Sequence, residues 1–507
     1  MSRSKRAAAG FSTAILQYGV QIVLQAALAP LILRYGGAST LGAYATIMQV
    51  MGYGVLLDLG FSQAMNRYLA QTHGAGTSST RFRDVLTTGR TFLLASNLLY
   101  GAFVASLAFA AGSLFHLPPP IRRDAQIGLL LFSVWCVART GWGGFSAALV
   151  ASQRMATANF LAILQNTLRL ALSVALVAPQ FGITRLIIAA VLAEAATSFL
   201  AKRTFCRAHP DRVPSWGFRH PDLFREMFLF GIQVFPALLA TQLIFQSSYV
   251  IVTSVCGVAA VASYYVTQMP AVMGYNIVNR LSDSAAPAIN ELYGSRDMTA
   301  FAAAFRQVYR YTCFLSFPLA AGVIVLNRTL VTAWVGERQY AGPLMTAALA
   351  GFALTVSLGH VPVIGLIAMG RVRILSMLAI AEGVVNVALS IAFGRWFGVQ
   401  GVMLAIFIAN VPGCVAVHFL VCRYLKLAAV RTILEPAIRT ALAATLAALG
   451  TAVVLLFLPE RPVLRLLLGC AAFSAFYLLA CLLTVLREQD RQLVRTLLPE
   501  FFFATQN

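Results

Sequence analysis

Eight charged side chains stand in or beside long apolar runs that offer them no water. Arg139, Arg169, Glu194 and Glu382 fall near the middle of such runs, and Asp58 lies toward the end of another. Arg280 and Asp283 share the end of a further run, and Arg67 stands just past the run that carries Asp58. A charge at the centre of a lipid layer costs about 2.5–3.5 kcal/mol even on the lenient insertion scale, so each needs a reason. The four guanidinium groups suit one chemistry. A planar, permanently charged fork replaces the water around an anionic group with paired hydrogen bonds. Arg139 and Arg169 at mid-depth, with Arg280 and Arg67 nearer the cytoplasmic mouth, would form a relay of that kind. The four carboxyls Asp58, Asp283, Glu194 and Glu382 suit gating or ion coupling, since a carboxyl out of water can take up a proton or help hold sodium. A plainer reading competes. Glu194 would then neutralise Arg139 or Arg169 and lock its helices, while Asp58 and Arg67 would only cap and orient theirs.

The elements that must hold these charges are membrane helices. Of 507 residues, 59% are apolar and 11% charged, with a mean hydropathy of +0.78. Ordinary soluble domains carry roughly 25% charge, so a soluble enzyme is excluded. The formal net charge is +21, and only Lys5, Lys202 and Lys426 are lysine, leaving 35 arginines. Fourteen spans are predicted, at roughly 11–33, 42–65, 91–115, 125–150, 157–178, 185–201 and 228–253 in the first part of the chain. The others are expected at roughly 262–285, 311–326, 343–369, 374–396, 401–421, 437–458 and 463–486. With this count, cytoplasmic segments hold 26 of the 38 basic residues, outer segments nine and spans three. That bias predicts cytoplasmic termini and accounts for the charge without nucleic acid. The basic start, Met1 to Arg6, leads into an uncleaved first span rather than a signal peptide.

An internal repeat divides the chain. Leu161-Ala162-Ile163 and Ala171-Leu172-Ser173 recur 217 residues later as Leu378-Ala379-Ile380 and Ala388-Leu389-Ser390. Gly19-Val20-Gln21 echoes Gly231-Ile232-Gln233, and Met51-Gly52-Tyr53 echoes Met273-Gly274-Tyr275. Such parallel repeats belong to transporters. The expected organisation is a six-helix lobe over 1–203, a basic cytoplasmic linker over 204–226, a second six-helix lobe over 227–424, and two extra helices with a cytoplasmic tail over 425–507. The linker region holds Lys202, Arg203, Arg207, Arg212, Arg219 and Arg225 among three prolines, which suits orientation and contact with anionic lipid. A Gly/Ser/Thr-rich segment, 72–88, reads as a flexible inner loop. Gly141, Gly143 and Gly144 beside Arg139 permit a kinked helix, and Pro236, Pro270, Pro318 and Pro362 lie within later spans. Asp58 with Arg67, and Arg280 with Asp283 three residues on, occupy equivalent places in the repeat and would suit an inner gate.

Several of these residues carry a family resemblance. Tyr35-Gly36, Leu41-Gly42-Ala43-Tyr44, Leu57-Asp58-Leu59-Gly60-Phe61 and Asn66-Arg67 resemble the opening of Wzx-type polysaccharide flippases of the MOP exporter superfamily. The likeness continues through Leu281-Ser282, Pro287, Phe317-Pro318-Leu319-Ala320, Trp334-Val335-Gly336, Gly370-Arg371 and Gly398-Val399-Gln400-Gly401. The resemblance implies an all-α polytopic membrane protein, with two six-helix lobes in a V around a solvated cavity. It also implies transport of undecaprenyl-diphosphate-linked oligosaccharide across the bacterial inner membrane, with polysaccharide polymerase machinery as a partner. Arg139, Arg169, Arg280 and Arg67 would then meet the diphosphate, and H+ or Na+ would be the coupling ion.

Two other classes compete for the same residues. A lipid II or MATE-type exporter shares the fold, but an exporter of organic cations should present an acid-rich cavity. A membrane enzyme needs a substantial outer segment, and the longest expected outer loop, 327–342, is short. The eight cysteines form neither CxxC pairs nor zinc spacings, and no Walker A, HExxH or GxSxG pattern is present, so no catalytic residue, metal or organic cofactor is expected. His360 reads as a hydrogen-bonded helix residue, and Asn327-Arg328-Thr329 is a chance-level glycosylation sequon.

Overall fold

The computed structural model describes residues 3–74, 79–115, 117–177, 182–218 and 220–484. Among these residues there is no strand, so the all-α class stands. Arg219, the end of the last span and the expected cytoplasmic tail lie outside the described residues.

Helix α1 (Arg3–Gly52) shows how the spans are joined. Fifty helical residues would measure about 75 Å if straight, far more than the roughly 30 Å of a hydrocarbon core. The helix breaks at one residue, Gly37 (φ 76°, ψ 179°), so the expected first two spans meet with almost no loop. Only glycine adopts that backbone cheaply. The same device recurs in α13 (Val372–Leu425), broken at Gly398 (φ 60°, ψ −143°). Between these come α2 (Phe61–Gly74), α3 (Ser79–Leu114), α4 (Pro119–Ala138), α5 (Phe145–Ala151), α6 (Met155–Val177) and α7 (Ile183–Ala208). They are followed by α8 (Pro221–Phe245), α9 (Ser247–Cys256), α10 (Val258–Gly294), α11 (Met298–Val335) and α12 (Pro343–Ala368). Helices α14 (Glu435–Phe457) and α15 (Pro462–Thr484) close the described chain.

Ten of these stretches are long and apolar enough to cross a membrane, and the bent α4–α5 pair makes an eleventh. The glycine breaks in α1 and α13 each divide one stretch into two. Helix α10 covers the span expected at 262–285, though it is not one of those ten stretches. Each of the fourteen expected spans therefore has a helical counterpart.

Two local expectations change. The flexible loop expected at 72–88 is mostly helix: α2 runs to Gly74 and α3 starts at Ser79, and only 75–78 lie outside the described residues. Helix α11 begins at Met298, well before the expected start at 311. Pro236, Pro318 and Pro362 lie inside helices, as their places within spans predict.

The helices cluster into two compact units, Met1–Ala262 and Ser263–Asn507, with the division inside α10. In the first, Phe61, Met65, Leu69, Phe82, Phe145, Phe205 and Met227 form a shared apolar core. Close backbone approach is part of this packing. Gly60 (φ +78°) sits so near α8 that an added Cβ would lie 2.5 Å from the Gly231 carbonyl. In the second unit, α14 and α15 pack on α11 through Ala443, Ala447, Phe473 and Tyr477, and the Tyr477 hydroxyl donates to Phe314 O at 2.6 Å.

The Gly60 contact makes a stability prediction. Gly60→Ala should cost about 2–4 kcal/mol, from a disfavoured left-handed backbone plus overpacking. Thermal unfolding in detergent should show a lower midpoint for it and no change for Gly19→Ala, whose added Cβ meets nothing within 4 Å. Equal midpoints for the two variants would show that the close approach at Gly60 is not required.

Candidate functional site

In the first unit the helix breaks within two of the expected spans, 42–65 and 125–150, and α3 meets both of these breaks. At Gly52 the chain tightens into a 3-10 turn, Tyr53–Asp58, and then turns through Leu59 (φ 50°) and Gly60 before α2 starts at Phe61. The Tyr100 hydroxyl of α3 donates to Met51 O at 2.6 Å, next to the turn. The Asp58 carboxylate accepts from Gly60 N at 2.9 Å and Ser62 N at 3.3 Å. Asp58 is 8% exposed and is the cap of α2. Arg67, farther along α2, lays its guanidinium 4.3 Å from the Phe230 ring centre.

The second break replaces the single span expected at 125–150. Helix α4 passes into a 3-10 turn, Arg139–Trp142, then an extended Gly143 and a left-handed Gly144. Helix α5 leaves at 42°. Of the three glycines noted beside Arg139, Gly144 takes the left-handed backbone that permits this. Arg139 stands at the break, held from three sides. Its Nη1 lies 3.4 Å from Glu194 Oε1 on α7, and its Nη2 donates to Asn97 Oδ1 at 3.1 Å. The Tyr100 ring centre is 5.6 Å from its guanidinium carbon. Glu194 also accepts from Trp135 Nε1 at 3.0 Å, and Asn97 Nδ2 donates to Thr140 Oγ1 at 3.1 Å. The expected neutralisation of an arginine by Glu194 therefore falls on Arg139. Arg169 instead donates to the Tyr44 hydroxyl at 2.6 Å.

The Arg139–Glu194 pair is not sealed. The two side chains keep 32% and 29% exposure, so the guanidinium is fixed in place yet open on one side. Such a group is preorganised. Its orienting hydrogen bonds are already made, and a further anion meets it without reordering a long side chain.

In the second unit Glu382, on the first limb of α13, accepts from Asn410 Nδ2 at 2.7 Å, and Thr355 Oγ1 of α12 donates to Asn410 Oδ1 at 2.5 Å. Gly413 makes room for the carboxyl, because a Cβ there would lie 2.8 Å from Glu382 Oε2. His360 Nε2 lies 2.7 Å from Asp283 Oδ1, which makes His360 the hydrogen-bonded helix residue expected. Arg280, on the same helix as Asp283, is exposed. Asn327 is 2% exposed and donates to Thr267 O, so its sequon is closed to glycosylation.

Sequence reading missed Asn97, Tyr100, Trp135, Tyr44, Asn410 and Thr355. Uncharged polar residues inside spans carried the signal, but they are common enough that only their placement around a charge distinguishes them.

The overall arrangement has solved counterparts. The lipid II flippase MurJ in an inward closed conformation superposes with a TM-score of 0.69 at 15% identity, covering 93% of this chain and 97% of the other. An inward-facing MATE family multidrug resistance transporter of the MOP superfamily gives 0.64 at 15% identity, covering 83% and 98%. A MOP superfamily transporter from Pyrococcus furiosus, in which reversed polarity of the binding pocket suggests a different function, gives 0.58 at 14% identity, covering 82% and 95%. The fold is thus the MOP fold of multi-pass membrane transporters. Within that class the family model for "Polysaccharide biosynthesis protein" matches residues 37–341, and the chain belongs to that family. Curated protein sequences give no match.

The Arg139–Glu194 pair makes its own prediction. Removing one partner strands a charge, whereas removing both does not. Because the pair is partly open, Arg139→Met alone should cost about 2–3 kcal/mol, below the range for fully buried pairs. The double variant Arg139→Met/Glu194→Leu should recover most of that loss in thermal midpoint. A double variant as unstable as the sum of the singles would show that the two side chains are energetically independent.

Proposed function

We propose that this protein is a flippase that carries undecaprenyl-diphosphate-linked oligosaccharide repeat units across the bacterial inner membrane for polysaccharide biosynthesis. It acts by alternating access, both termini are cytoplasmic, and the exported units pass to polymerase machinery. It moves its passenger without changing it chemically, as a transporter rather than an enzyme. The observation that carries this reading is Arg139: a fixed, half-open guanidinium at a helix break inside the membrane, in a chain of the polysaccharide biosynthesis protein family. A diphosphate bears about two negative charges at neutral pH and gains bidentate hydrogen bonds from such a group. Organic cations gain nothing there, which weighs against a MATE-type passenger, while lipid II shares the diphosphate and remains the second reading.

Ion coupling is assigned to the Glu382–Asn410–Thr355 group. Its carboxyl is linked through the Asn410 amide to the Thr355 hydroxyl within one unit, on α12 and both limbs of α13, and a carboxyl in such neutral company suits uptake of a proton or Na+. The test is reconstitution in vesicles with labelled lipid-diphosphate oligosaccharide, measuring outer-leaflet exposure with and without a proton or sodium gradient. Arg139→Met should slow exposure by about tenfold or more, and Glu382→Gln should remove the gradient dependence. No exposure of the lipid under any gradient would sink the flippase reading, and efficient exposure of lipid II alone would favour the second.

A further inference from the structure

Arg90 takes no part in the groups described so far, yet it is one of the most enclosed cations in the first unit, at 5% exposure. It lies on α3, seven residues before Asn97. Its Nη2 donates to Gly141 O at 3.1 Å, at the point where the expected fourth span breaks. Lys202 Nζ approaches the same oxygen at 3.4 Å. The guanidinium lies against two aromatic rings. Phe145, the first residue of α5, has its centre 4.9 Å away, and Trp216 has its centre 4.4 Å away.

Trp216 belongs to residues 209–218, which follow α7 on the way to α8. Composition suggests a lipid-contacting basic linker there, but these residues are laid along α3 as a strap. Ser215 N donates to Thr87 Oγ1 at 3.2 Å, and Gly217 N donates to Thr91 Oγ1 at 2.9 Å. Arg212, one of the linker's basic residues, rests 4.9 Å over the Phe82 ring. The strap is thus docked at the turn of α3 that carries Arg90.

The physical logic is local. A break in a membrane helix frees backbone carbonyls, and each must find a donor. Arginine is the donor that keeps its charge in a low-dielectric site, and aromatic faces are the apolar surfaces on which a guanidinium rests favourably. We propose that Arg90, held in place by Trp216, is the positioning residue that sets the helix break at Gly141 and, through it, the placement of Arg139 two residues earlier. The strap is then a control element. With Trp216 seated, the break is held and Arg139 faces its anionic ligand. With the strap lifted, Gly141 O loses its principal donor and the bend relaxes. The link to Arg139 rests on the anionic-passenger reading; the effect on the break does not.

The experiment therefore has two arms. Gly141→Cys is a gentle probe, because an added Cβ there meets nothing within 4 Å. It is placed in a full-length chain whose native cysteines are replaced, reconstituted without any lipid-linked sugar, and its rate of maleimide labelling is measured. Trp216→Ala and Arg90→Met should label severalfold faster than the parent, while Trp216→Phe and Arg90→Lys, which keep a ring or a cation, should stay near it. In the second arm, without the probe, the first two variants should flip lipid-diphosphate oligosaccharide about tenfold more slowly, and the conservative pair should be rescued. Parent-like labelling in Trp216→Ala overturns the proposal, and this holds even if Arg90→Met fails to fold. Altered labelling with undiminished flipping overturns the link to Arg139. If the parent itself flips nothing, the passenger reading fails, and the labelling arm still decides whether Arg90 sets the break.

Discussion

Lipid offers a backbone amide nothing, and this single constraint organises the first unit. A helix that crosses the membrane intact meets it automatically; a helix that breaks must be repaired by someone else's side chain. At the two breaks described above, α3 supplies a donor each time, joined at Gly141 by Lys202 of α7. The Tyr100 hydroxyl serves Met51 O, and Arg90 serves Gly141 O. Between those two positions on α3 stands Asn97, which holds Arg139. The helix that appears least unusual in composition is therefore the scaffold on which the irregular, functional pieces hang. Its own regularity is the condition for their irregularity.

The charges show the same division of labour. A membrane chain with so few acids spends several on structure. Asp58 caps a helix, and Glu194 steadies an arginine rather than cancelling it from view. Partial exposure of both members of that pair distinguishes it from a purely structural lock, which would gain from being closed. The polar group around Glu382 is built differently, from neutral amide and hydroxyl partners. A half-open arginine and a carboxyl in neutral company, each held within its own unit, are the two groups on which the proposed carrier reading rests.

Much of this was legible in the residues. Apolar length and arginine bias predicted fourteen spans because both report on the bilayer, which acts on every residue alike. The three glycines beside Arg139 announced a kink because glycine alone tolerates the backbone that Gly144 adopts. Partner choice was not legible: Glu194 had two arginines within reach of the argument, and only the rotation of α7 against α4 selects Arg139. The linker misled more plainly. Its prolines and arginines read as a lipid-facing tether, yet Arg212 lies over the Phe82 ring and the half-exposed Trp216 against the Arg90 guanidinium, because two threonines on α3 supply hydrogen bonds to the loop. The loop expected at 72–88 is shorter for a similar reason: Thr72–Gly74 and Ser79–Thr88 continue α2 and α3.

The one-residue joints at Gly37 and Gly398 tie together the limbs they connect. A connection with no slack leaves neither limb free to slide along its own axis alone. A displacement of one limb is therefore handed to the next at once, as through a rigid coupling rather than a tether.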